Sequence, residues 1–323
     1  MHCNYRSLKL ALQKILCAFA CIHFISCNEM NNLSRPEITD NEPGTFITVK
    51  DGLKIFVYEY MPATDYNCTV FIISGITGIN HHAEIELIEL LANGENRVVV
   101  IHPRGTGYSE GKRGDILNFD NFINDYYEII TNDKNYNSNQ HKVILFGHSM
   151  STAILLAVAD KLENIGGAIL VNPPYLQKKA KGMSPSFQQY IKYACYMIFA
   201  KHKPIVNMVG DPALIVNEED RRESEQRVND SLLVKYFSMY VMLESKKIMD
   251  SMIDYAKNAD YPLLLIYGAK DNIVDKKGLD MIFEFWKFEI KQYTIIENGT
   301  HGKSTVMHAK SVISDWIDER KNE

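Results

Sequence analysis

Apolar and polar residues alternate through residues 45–62, "TFITVKDGLKIFVYEYMP", on both sides of Asp51-Gly52. Period-two alternation around an Asp-Gly pair predicts a β-hairpin. Beyond it the pattern changes to short, continuously apolar runs: "CTVFIIS" (68–74), "RVVVIHP" (97–103), "KVILFG" (142–147), "GAILVNPP" (167–174) and "YPLLLIYG" (261–268), with "IKQYTIIEN" at 290–298. Between these runs lie stretches with helical apolar spacing, at 81–94, 118–130, 149–165, 276–288 and 304–321. The first of them ends at Gly94, a favoured helix terminator.

Unbroken apolar strands alternating with helices predict an α/β fold with a mostly parallel sheet covered on both faces. The leading hairpin makes that sheet mixed. The rhythm breaks over residues 175–257, which hold helical stretches and no clear strand. The expectation is therefore a core of 45–174 and 258–323, with a helical cap (175–257) inserted after the sixth strand.

The N-terminus follows neither period. Arg6, Lys9 and Lys14 precede the apolar run Ile15–Ser26, and no acid occurs before Glu29. A basic region followed by an apolar run of 12 residues reads as a secretory signal, too short to span a bilayer. The run ends in "FISC" and a polar linker (27–44) follows. This resembles a bacterial lipoprotein signal, which implies lipidation at Cys27 and residence in the cell envelope. A plain secretory peptide, giving a secreted or periplasmic protein, is the alternative. Phe24 departs from the leucine usual in such signals, and Cys21 is a second candidate anchor.

Losing residues 1–26 removes three basic residues and no acid, taking the formal charge from −5 to −8. With no basic run, nucleic acid is excluded as an expected partner. Only Cys68 and Cys195 lie beyond the N-terminal region, which is no disulfide framework and no Cys-x-x-Cys site.

The candidate chemistry is at "ILFGHSMSTA" (144–153). Ser149 falls where a predicted strand meets a predicted helix, the context of a nucleophile elbow. The frame Gly147-His148-Ser149-Met150-Ser151 lacks the second glycine of the Gly-x-Ser-x-Gly pattern. A serine hydroxyl needs a base, and the base needs an orienting carboxylate. Asp271 and His301 follow in the order Ser, Asp, His, each just past a predicted strand. Open α/β sheets form sites at such strand ends. Asp275 competes with Asp271 but reads better as a helix cap. The oxyanion donors are expected at the N–H groups of Met150, after the nucleophile, and Ile76, in the "SGITG" loop after "CTVFIIS".

From about Thr45 onward the chain resembles α/β-hydrolases of the serine aminopeptidase, monoacylglycerol lipase and lysophospholipase-like group. The likeness rests on "HPRGTGYSEGKRGD" (102–115), "GHSM" and "GGAILVNPPY". It implies a serine hydrolase of carboxylic esters, with a monoacylglycerol or lysophospholipid-like substrate and no cofactor or metal. Three positions depart from the group: Ser151 at the elbow's second glycine, Ser74 at a usual histidine, and His102 at a usual aspartate. One rival is an aminopeptidase of the proline iminopeptidase type, dependent on a cap acid such as Glu218 or Glu219. The other is a catalytically silent binding protein on the same fold.

Weaker signals surround these. The cap holds seven of the thirteen methionines; most are expected to pack its helices and a minority to line an acyl pocket. His81-His82 resembles a metal pair superficially and reads as a loop or helix start. The "RGD" at 113–115 reads as coincidence, and the charge cluster from Asn217 onward as a solvated face.

Overall fold

A computed structural model describes residues 34–178, 187–208 and 217–322. The predicted signal and Cys27 lie outside them.

The hairpin forms as β1 (Thr45–Thr48) and β2 (Lys54–Tyr60), paired antiparallel. Gly52 in the turn has φ +88°, a conformation that glycine adopts without penalty. The apolar runs become β3 (Cys68–Ile72), β4 (Arg97–Ile101), β5 (Lys142–His148), β6 (Gly167–Val171), β9 (Leu263–Gly268) and β10 (Lys291–Ile296). The sheet order is β1-β2-β4-β3-β5-β6-β9-β10. From β4 to β10 every neighbouring pair is parallel, and β2 joins β4 antiparallel. Every residue of β3, β4, β6 and β9 is buried, as strands covered on both faces should be.

Helices cover both faces. On one lie α1 (Ile85–Ala92), α9 (Lys303–His308) and α10 (Lys310–Lys321). On the other lie α2 (Phe119–Thr131), α3 (Met150–Ala159) and α8 (Lys276–Phe285). Helix α1 starts four residues later than its apolar spacing suggests, because His81 is turned into the interior. The single helix expected over 304–321 is two, divided at Ala309, where neither glycine nor proline signals a break. Ala309 is fully buried, and the new direction lays Ile313, Trp316 and Ile317 on the sheet.

The insertion contains α4 (Phe187–Phe199), α5 (Glu218–Asn229), α6 (Met239–Asp250) and α7 (Met252–Asn258). It also contains a ribbon of two-residue strands, β7 (Val206–Asn207) and β8 (Tyr236–Phe237), too short to register as a period. Val241, Met252, Ile253 and Ala256 extend the main core beside α3, so α6 and α7 pack on the core rather than stand over it. Met252 is fully buried, and Met242 and Met249 pack against the same cluster. For these three methionines the packing reading holds.

The "RGD" segment seats the insertion. Arg113 donates to Gly107 O, Ser231 O and Leu233 O, and buried Asp115 accepts the Ser238 hydroxyl at 2.6 Å. Burial pushes the Arg113 guanidinium down to about 10.

Candidate active site

In this sheet β3 has β4 on one side and β5 on the other. Successive connections therefore leave in opposite directions, opening a crevice at the strands' carboxyl ends. The loops after β3, β5, β6, β9 and β10 all reach that edge.

Ser149 ends β5 and begins α3 with φ 55° and ψ −130°. A non-glycine residue there carries strain on the order of 1–3 kcal/mol, retained only where surroundings impose it. Ser149 N–H donates to Val171 O at 2.8 Å, pinning the elbow to β6. Ser149 Oγ lies 2.7 Å from His301 Nε2, and His301 Nδ1 lies 2.7 Å from Asp271 Oδ2.

The second carboxylate oxygen is also occupied. Asp271 Oδ1 accepts Ile273 N–H at 2.7 Å and Val274 N–H at 2.8 Å. Burial raises the Asp271 pKa, but His301 and these two N–H groups outweigh it, leaving the carboxyl below its ordinary value. An ionised Asp271 fixes the proton of neutral His301 on Nδ1, so Nε2 presents a lone pair to the Ser149 hydroxyl. Asp275 caps α8 through Lys277 N–H at 3.0 Å, as expected.

The oxyanion candidates flank Ser149. Met150 is the first residue of α3, where N–H groups have no intrahelical acceptor. Ile76 is the second residue of a turn closed by Gly78 N–H to Gly75 O at 3.0 Å, which leaves its own N–H outside the turn bond. A methyl group at Gly75 would stand 3.8 Å from Ser151 N, so the loop lies against the start of α3.

Each departure from the family pattern has a local partner. Ser151 Oγ accepts His148 N–H and donates to His148 O. Ser74 Oγ donates to Ile101 O at 2.8 Å. His102 is fully buried, accepts Tyr108 N–H on Nδ1 at 3.2 Å, and meets His81 Nδ1 through Nε2 at 3.1 Å.

His81 and His82 are more than a loop, because Glu42 joins them. Its Oε1 lies 2.9 Å from His81 Nε2 and 2.7 Å from His82 Nε2. The three groups are close enough to suggest a metal site. The hydrogen-bond order argues otherwise. Tyr108 N–H occupies His102 Nδ1, so neutral His102 carries its proton on Nε2 and donates to His81 Nδ1. His81 then carries its proton on Nε2, which lies near Glu42 without forming a hydrogen bond to it, where a metal would need a lone pair. Glu42 thus ties the end of the expected linker to the core.

Several residues that hold the site escaped sequence reasoning. His148 Nε2–H donates to His301 O at 2.7 Å, and burial pushes the His148 imidazole down to about 4. Asn172, at φ 48°, donates to Thr300 O at 2.9 Å and accepts Gly268 N–H at 2.9 Å. Lys178 Nζ donates to Asp271 O. Asparagine directly after a buried strand is the one signal that marked such a position, since it tolerates positive φ. Glu218 is exposed and paired with Arg222.

Residues 67–304 match the family described as serine aminopeptidase, S33. The chain belongs to that family. Monoglyceride lipase of Rattus norvegicus is 23% identical over 284 residues, covering 84% of this chain and 88% of the lipase. The Homo sapiens enzyme is 23% identical with the same coverage. Among solved structures, a soluble variant of the Saccharomyces cerevisiae monoglyceride lipase with a substrate analogue superposes with a TM-score of 0.71. It is 18% identical, and the match covers 89% of this chain and 99% of that one. A Paleococcus ferrophilus monoacylglycerol lipase gives 0.60 at 21% identity, with 82% and 99% covered. The family fold is thus the α/β-hydrolase fold that the resemblance implies, with the mostly parallel sheet that the apolar pattern predicts.

Proposed function

We propose that this protein is a serine hydrolase of carboxylic esters, acting on monoacylglycerol or lysophospholipid-like substrates. The observation that carries the reading is the unbroken line from Ser149 Oγ through His301 to Asp271, two contacts of 2.7 Å each, with Ser149 held at φ 55°. The relatives named monoglyceride lipase support the substrate class.

In the proposed reaction Ser149 Oγ attacks the ester carbonyl as His301 Nε2 takes its proton. Asp271 holds the imidazole and stabilises the imidazolium. The Met150 and Ile76 N–H groups receive the developing oxyanion. Collapse breaks the ester C–O bond, and the alcohol leaves with the proton from His301. Water then gives a proton to His301 and its hydroxyl to the acyl carbon, releasing the acid and restoring Ser149. None of these steps calls on a cofactor or metal.

A fluorophosphonate probe is expected to label the wild type and not Ser149→Ala. An ester and aminoacyl-amide panel on the same pair distinguishes esterase from aminopeptidase. A folded wild type that never reacts with the probe would leave the silent binding protein as the surviving reading.

The N-terminal pattern supports a further assignment: a lipoprotein signal ending at Ser26 and a lipid anchor on Cys27, placing the enzyme in the bacterial envelope. Among the described residues no helix is long and apolar enough to cross a membrane.

A further inference from the structure

Asp220 and Glu223 lie one turn apart on α5, and both carboxylates close on the loop that carries His301. Thr300 Oγ1 donates to Asp220 Oδ1 at 2.7 Å, and Lys303 N–H donates to Glu223 Oε2 at 3.0 Å. The approach is tight. A methyl group at Gly302 would stand 2.4 Å from Asp220 Oδ1 and 3.0 Å from Glu223 Oε2.

The proton directions are determined. A carboxylate only accepts, so the Thr300 hydroxyl proton points to Asp220. The Ser304 hydroxyl then donates to Thr300 Oγ1 at 2.7 Å, and its oxygen accepts Thr300 N–H at 3.3 Å. From the core side, Asn172 and the Thr305 hydroxyl hold Thr300 O, at 2.9 and 2.5 Å, and His148 holds His301 O. The core thus grips carbonyls of the loop, while α5 grips its hydroxyl and N–H donors. Glu223 is steadied by Arg227 at 3.6 Å. The Lys303 ammonium reaches Glu86 at 3.3 Å and Glu84 at 3.7 Å, at the start of α1.

We propose that Asp220 and Glu223 are positioning residues for the base. The insertion fixes the loop that aims His301 at Ser149, so docking of α5 and competence of the base are one event. This rests on His301 being the base. The chemistry makes it consequential, because displacement of a reacting group by about 1 Å costs on the order of 100-fold in rate.

The test uses the full chain with Asp220→Ala, Asp220→Asn, Thr300→Val and the double variant Asp220→Ala/Thr300→Val. The readouts are kcat and KM on a short-chain p-nitrophenyl ester and the rate of fluorophosphonate labelling. Asp220→Ala and Thr300→Val are each expected to lower kcat roughly 10- to 100-fold with KM within about twofold. Their losses should not add, because each removes the same bond. Asp220→Asn should retain most activity, since its amide oxygen accepts the same proton. Gly302→Ala pushes both acids away without deleting either and should reproduce the kcat loss, which keeps the question open if Asp220→Ala does not fold. Wild-type kcat in Asp220→Ala or Gly302→Ala, additive losses, or an Asn variant as slow as Ala would overturn the positioning role. A wild type that never reacts with the probe sinks the triad reading instead, so the two failures are told apart.

Discussion

Ser151 Oγ bonds twice to one residue: it accepts His148 N–H at 2.8 Å and donates to His148 O at 2.7 Å. The side chain that spoils the glycine pattern therefore closes the elbow from inside. Strand and helix are close-packed here: a methyl group at Gly147 would stand only 3.2 Å from the Ser151 backbone, a tight contact that the glycine avoids. Ser151→Gly is expected not to raise turnover and to lower it a few-fold. Ser151→Ala should cost about 1–3 kcal/mol by leaving a buried N–H unpaired. Thermal melts and kcat on the two variants check both points, and faster turnover in the glycine variant would show that Ser151 does crowd the nucleophile.

Asp271 gives an equally sharp expectation. In Asp271→Asn the amide oxygen keeps the Ile273 and Val274 N–H groups, so the NH2 turns to His301 Nδ1. That group donates, and the imidazole must take its proton on Nε2, facing Ser149 with the wrong tautomer. The expected result is a loss of kcat on the order of 10⁴-fold with little change in melting temperature. Near-normal kcat would mean that another residue orients the base.

The His102–His81–Glu42 chain couples stability to acidity. Burial, with neighbouring histidines, pushes His102 down to about 3 and His81 to about 4, whereas an unfolded histidine titrates near 6.5. Between those values the unfolded chain binds protons that the native one refuses, so stability falls as pH drops from about 6.5 toward 4. Each such histidine contributes a slope of about 1.4 kcal/mol per pH unit there. Glu42, His82 and Tyr108 face the pair, and Glu42 opposes the shift at His81. Asp125, pushed up to about 6 by burial, works in the opposite sense, so a comparison between variants is needed. His102→Asn should lose less stability than wild type between pH 7 and pH 5, by on the order of 2 kcal/mol in urea titrations. Parallel losses would show that His102 is not held neutral.

What the sequence displayed and what it hid divide along physical lines. Ser149, Asp271 and His301 were legible because each follows an apolar run, and strand ends converge in any open parallel sheet. Period and composition carry that information locally. Glu42, Asn172, Thr300 and Asp220 act through side-chain bonds spanning tens to over a hundred residues, which no local period encodes. The break at Ala309 was hidden for another reason: it goes with the packing of Ile313 and Trp316 on the sheet, in a sequence with no glycine or proline to mark it. The "RGD" segment reads as coincidence by its letters, yet two of its three side chains hold the insertion in place.

The membrane tether is open to a separate test. Glu42 is held from several sides, by His81, His82 and Tyr108. A lipid on Cys27 would be joined to it by a chain reaching at most roughly 50 Å when extended. The hydrolase fold begins only at Thr45, so anchor and chemistry should separate cleanly. Cys27→Ala is expected to abolish palmitate incorporation and pelleting with membranes, while fluorophosphonate labelling at Ser149 persists. Palmitate still incorporated in Cys27→Ala, and lost in Cys21→Ala, would move the anchor upstream. Membrane pelleting unchanged in both variants would mean that the apolar run, not a lipid, holds the protein at the envelope.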